Sequence, residues 1–76
     1  MPNLPGVSGR KAVKALERLG FVFIRQKGSH VILRHVDGRW APVPVHRGRD
    51  IDPGLLRGIL RELSLTSEEF LRALRG

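Results

Sequence analysis

The 76-residue chain is predicted to be a small α+β domain whose three-stranded antiparallel sheet carries its helices on one face. Three observations predict it. An apolar stripe at helical spacing runs up to Gly20. Two turn signals, Gly28-Ser29 and Asp37-Gly38, then divide the next stretch into three runs rich in aromatic and β-branched residues. Two further helical stripes follow, each opened by its own N-cap residue. The implied order is α-β-β-β-α with a short C-terminal helix.

Residues 1–7, with two prolines and a glycine, form an irregular lead-in lacking the basic start and apolar stretch of a signal peptide. Ser8 is the N-cap of a helix over Gly9 to Leu19. Its capping box is incomplete, because Lys11 stands where Glu or Gln would reach back. Ala12, Ala15, Leu16 and Leu19 fall at i, i+3, i+4 and i+7, with Val13 beside them. Gly20 closes the helix as a C′ glycine.

Phe21–Lys27, His30–His35 and Trp40–Val45 are the predicted strands. In the second, Val31 and Leu33 share one face, while His30, Ile32 and Arg34 share the other. Burying the aliphatic pair costs less than burying a histidine and an arginine, so His30 and Arg34 belong to the open face. His35 shares the face of Val31 and Leu33. In the first strand Arg25 and Lys27 have the same parity as Phe21 and Phe23, which leaves a bulge or twist open. Pro42 and Pro44 lack N–H groups on the same lateral side, making the third strand an edge. The simplest sheet is a meander with the His30 strand in the centre.

After the basic loop His46–Asp50, Asp52 caps a second helix with Pro53 at N1 and Ile51 placed to staple onto Leu56. That helix runs to about Leu63, with Leu56, Ile59, Leu60 and Leu63 on one face. Gly58 weakens it and suggests close packing against a neighbour. Thr66 and Glu69 form a full capping box for the last helix, with Leu65 and Phe70 as its staple. Phe70, Leu71 and Leu74 are its expected apolar positions.

The composition excludes several classes. There are no cysteines, hence neither a disulfide framework nor a thiolate metal site. No apolar run approaches the roughly 18 residues of a membrane span, and the default location is cytoplasmic. Phosphate-loop, dinucleotide and nucleophile-elbow motifs are absent. Three histidines without i,i+4 spacing, and no acidic residue near His30, leave no metal site. Charge is the strongest global signal. Residues 1–49 hold ten Lys/Arg against Glu17 and Asp37, a net +8, whereas residues 50–76 hold four Arg against five Asp/Glu, a net −1. A field this one-sided points to a polyanion, such as a nucleic acid or an acidic protein.

Arg25-Gln26-Lys27-Gly28-Ser29-His30 concentrates the chemistry. An imidazole exchanges a proton near neutral pH, its unperturbed pKa being about 6.5. Arg25, Lys27 and Arg34 around it suit phosphate oxygens, and Ser29 could orient the ring or donate to phosphate. A metal-free ribonuclease needs such a base for the 2′-hydroxyl and cations for the phosphorane-like transition state. The plainer alternative is a surface histidine in a basic turn, and the residues alone leave both open. His46 is open between a second acid–base group, a phosphate contact and a loop cap. Trp40 either stacks on an unpaired base or covers Pro42 and Pro44.

The helix ending Leu19-Gly20-Phe21, then Arg25–His30, Arg34-His35-x-Asp37-Gly38-Arg39, Val43-Pro44-Val45-His46 and Leu56-Arg57-x-Ile59-Leu60 together resemble the HicA (YcfA-like) toxins. The resemblance implies one HicA-like domain over 1–76 with a double-stranded-RNA-binding-domain-like fold. It implies an mRNA-cleaving ribonuclease with His30 as the catalytic histidine, and a cognate HicB-type antitoxin covering it; no cofactor is expected. Arg25, Lys27, Gly28, Ser29, Arg34 and His46 are the expected RNA contacts. The alternative is a non-catalytic RNA-binding module on the same fold. Asp52-Pro53-Gly54 stands where double-stranded-RNA readers carry a basic cluster, which argues against shape-reading of duplex RNA. The resemblance assigns no role to the last helix.

Overall fold

A computed structural model describes residues 4–76; Met1, Pro2 and Asn3, part of the expected lead-in, lie outside the described residues. Ser8 opens the first helix as expected, its hydroxyl accepting the Lys11 amide at 3.2 Å. Helix α1 (Gly9–Arg18) ends on Leu19, and Gly20 follows with φ +97°. The chain then forms β1 (Phe21–Lys27), β2 (His30–His35) and β3 (Trp40–Pro44), paired antiparallel in the order β1-β2-β3. The third strand is one residue shorter than expected. Val45 still donates its N–H to the Ser29 carbonyl, at 2.6 Å. Helices α2 (Pro53–Glu62) and α3 (Ser67–Arg75) complete an α+β fold.

All three helices are capped by the residues expected for them. The Asp52 side chain accepts from Leu55 N–H, and Thr66 and Glu69 make the full reciprocal box. The core lies between one sheet face and the helices. Phe21, Val31, Leu33, Ala41 and Val43 from the strands meet Ala12, Ala15, Leu16, Leu56, Leu60 and Leu63. Burying the aliphatic positions of β2 while leaving His30 and Arg34 outside is the outcome of lowest desolvation cost.

The described part of the lead-in is irregular as expected, yet it is anchored: Val7 is buried, and its carbonyl accepts the Ile51 N–H at 2.7 Å. Two expectations need correction. Gly58 makes no close approach, since a Cβ there would meet nothing within 4 Å. In α3, Ala73 rather than Leu71 joins Phe70 in the core, with Leu74 half-buried against it. Phe70 and Ala73 are three apart and share a face, and α3 turns that face toward α1. The close approach is elsewhere, at Gly9. A Cβ there would lie 2.7 Å from Val45 Cα and closer still to the Pro44 carbonyl, so only glycine lets α1 start against the end of β3.

The β2–β3 hairpin is also tied to the helices. Arg39 donates its Nε–H to the Asp37 carboxylate at 2.8 Å and an Nη–H to the Leu63 carbonyl, and lies 5.2 Å over the Phe21 ring. The guanidinium of Arg39 holds the Asp37 carboxyl down from its ordinary 3.8 to about 2. A depressed carboxylate contributes stability above its unfolded pKa and loses it as pH falls through the folded one. The contribution of Asp37 should therefore be level above about pH 5 and fall between about pH 4 and pH 2. Glu69, lowered by the Thr66 backbone N–H, contributes with the same sign. In Asp37→Asn, urea midpoints measured against pH should show a shallower fall over that interval. An unchanged slope would remove Asp37 from the acid response.

Candidate active site on the open sheet face

The strand register assembles the site. A bulge between Phe23 and Arg25 leaves Ile24 outside the β1–β2 ladder. Without it, Arg25 would share the face of Phe21 and Phe23 by simple alternation. With it, Phe21 and Phe23 oppose His35 and Leu33 on the helix side, while Arg25 and Lys27 oppose Ile32 and His30 on the open side. One extra residue thus sends aromatic rings one way and cations the other.

Three cross-strand rows result on the open face. Lys27, His30 and Pro44 form the first, Arg25, Ile32 and Pro42 the second, and Val22, Arg34 and Trp40 the third. Directly opposed side chains have Cβ atoms roughly 4.5–5.5 Å apart, so Lys27 is an immediate neighbour of His30. Alternate residues along a strand are roughly 6.6 Å apart, which places Arg25 one row away and Arg34 two. His30, Lys27, Arg25 and Arg34 are all exposed. No acidic side chain enters these rows. Of the expected site residues, Arg25, Lys27, His30 and Arg34 thus share the open face, with Lys27 the cation nearest His30 in register and Arg34 the most distant, while His46 lies outside these rows.

The turn below His30 is shaped by Gly28 and braced by the Gln26 side chain. Gly28 adopts φ +59°, the left-handed region that favours glycine. Its carbonyl accepts the Gln26 Nε2–H at 3.1 Å, a support that sequence reasoning missed. The Ser29 carbonyl is occupied by Val45, so the residue after Val45, His46, follows directly beside the turn. His46 lines a cavity of about 410 Å³ with Ser8, Arg10, Gln26 and Arg47, a grouping that depends on the Gly9 approach.

The remaining aromatic candidates separate clearly. His35 packs edge-on to Phe21 with ring centroids 5.0 Å apart and accepts the Asp37 N–H on Nδ1 at 3.1 Å, which is a structural role. Trp40 remains 52% exposed, and the Arg34 guanidinium rests 5.3 Å over its ring. That pairing was not legible in the sequence, because it requires the β2–β3 register. Among the described residues, no three His, Cys, Asp or Glu side chains are grouped so as to hold a metal ion. No described helix is long and apolar enough to cross a membrane.

The described residues form a small α+β domain whose open sheet face gathers Arg25, Lys27 and Arg34 around the exposed His30. The family "HicA toxin of bacterial toxin-antitoxin" matches residues 9–65, well over half of the chain, and the chain belongs to that family. Membership makes it a toxin of a toxin–antitoxin pair, with an antitoxin as its partner. The search of curated proteins finds no match. The family match ends before α3, which nonetheless completes the core.

Proposed function

We propose that this chain is a metal-independent endoribonuclease that cleaves mRNA, with His30 as its general base, and that residues 1–76 act as one domain. The observation that supports it is the Lys27–His30 pair at the start of the central strand, opposed across one ladder step on the open face. In this reading the neutral His30 imidazole takes the proton of a ribose 2′-hydroxyl. The 2′-oxygen attacks the adjacent phosphorus, and the 5′-oxygen departs, taking up a proton from solvent. Lys27 and Arg25 neutralise the charge that develops on the non-bridging oxygens, a stabilisation worth most where the groups are already in place. Gly28 and Ser29 let the phosphate approach the turn. Arg34 and His46 contact the backbone of the chain on either side. The cognate HicB-type antitoxin would silence the enzyme by covering this face.

End-group analysis tests the chemistry. RNA incubated with the pure protein in EDTA should yield upstream fragments ending in a 2′,3′-cyclic phosphate and downstream fragments with a 5′-hydroxyl. RNA that binds but stays intact would instead make the chain a non-catalytic RNA-binding module. Cleavage that stops on chelation would remove the metal-free mechanism.

A further inference from the structure

We infer that Trp40, paired with Arg34, is a stacking platform for an unpaired RNA base about two nucleotides from the phosphate held at His30. The inference rests on the ribonuclease reading for the position of that phosphate. Its own support is independent of it. Trp40 is the single tryptophan of the chain and stays half-exposed on a face with no acidic side chain in its cross-strand rows. The Arg34 guanidinium already lies against its ring, the geometry in which a cation supports stacking. Beside it opens a cleft of about 390 Å³ walled by Pro42, Leu55, Ile59 and Leu63.

The chemistry of the cleft selects a base over a phosphate. Its walls are mainly apolar, and its one charged group is the Glu62 carboxylate, which repels phosphate and accepts hydrogen bonds from an exocyclic amine. Gly58, where a Cβ would meet nothing within 4 Å, keeps the helix side of the cleft open. The Arg34–Trp40 row lies two rows from the His30 row, roughly 13 Å along the sheet. A single-stranded chain covers that span in about two nucleotides, its phosphates following Arg25 and Arg34. Stacking itself accepts any base, with Glu62 favouring those that carry an exocyclic amine, and the site is intolerant of duplex.

Titration with a single-stranded 2′-O-methyl oligonucleotide, which lacks the attacking hydroxyl, tests this without cleavage. Trp40 fluorescence should fall on binding, whereas the same sequence as a duplex should leave it unchanged. Trp40→Ala should weaken binding about tenfold, within the range for one stacked base. Trp40→Phe should stay within about threefold of the parent protein, because a smaller ring still stacks. Gly58→Leu, which fills the cleft in a helix that tolerates leucine better than glycine, should weaken binding about as much as Trp40→Ala. Unchanged affinity in Trp40→Ala or Gly58→Leu, no binding at all, or quenching by the antitoxin but not by RNA would each overturn the inference. Failure of the ribonuclease reading is distinguishable: His30→Ala would then cleave normally while the titration kept its result.

Discussion

Replacing His30 with alanine is expected to lower RNA cleavage by about 10²–10⁴-fold, the usual contribution of a positioned general base. The melting temperature should scarcely move. His30 is exposed on the side of β2 opposite Val31 and Leu33, so its truncation opens no cavity. The separation of activity from stability is what makes the substitution informative. His30→Gln, which keeps a polar group but cannot accept the proton in the same way, should be about as inactive. His46→Ala should raise KM more than it lowers kcat if His46 is a backbone contact. A folded His30→Ala protein that cleaves at the parent rate would eliminate the imidazole as base and leave the cationic face a binding surface.

Truncating Phe70 to alanine is expected to cost about 3–5 kcal/mol, as for other large-to-small changes at buried aromatic positions. Phe70 is 0% exposed and belongs to the hydrophobic cluster of the described residues, on a helix that meets α1 and α2. Proteins in general are stable by only about 5–15 kcal/mol, and a domain this short sits toward the lower end. The loss is therefore a large fraction of the whole. Urea unfolding measures it directly. Arg18 reinforces the same contact by donating an Nη–H to the Ala73 carbonyl at 2.7 Å, fastening α1 to the last turn of α3. Leu71→Ala, on a half-buried position outside the cluster, should cost much less. A Phe70→Ala loss below about 1 kcal/mol would make α3 an accessory to a core complete without it.

Much of the fold was legible because its signals are local. Ser8, Asp52 and Thr66 cap helices through bonds to residues three positions away, a geometry written in adjacent sequence. Pro42 and Pro44 identified the edge strand because a missing N–H cannot be replaced by context. The open-face placement of His30 followed from the cost of burying polar groups in β2. What escaped were features set by distant partners. Nothing near Gly9 announces that Pro44 and Val45 will press against it, and nothing near Arg39 announces the Leu63 carbonyl. Leu71 looked as apolar as Phe70, yet α1 meets the stripe that contains Ala73.

The chain alone determined that a histidine would stand among cations on a sheet face too polar to cover, because alternation and desolvation act residue by residue. Only the tertiary structure decided that the cations of β1 share that face with His30 and Arg34. The bulge at Ile24 reverses the alternation halfway along β1, and ladder register then sets Lys27 beside His30 and Trp40 beside Arg34. Register is a cooperative property of whole strands and of the core they cover, so no local stretch carries it.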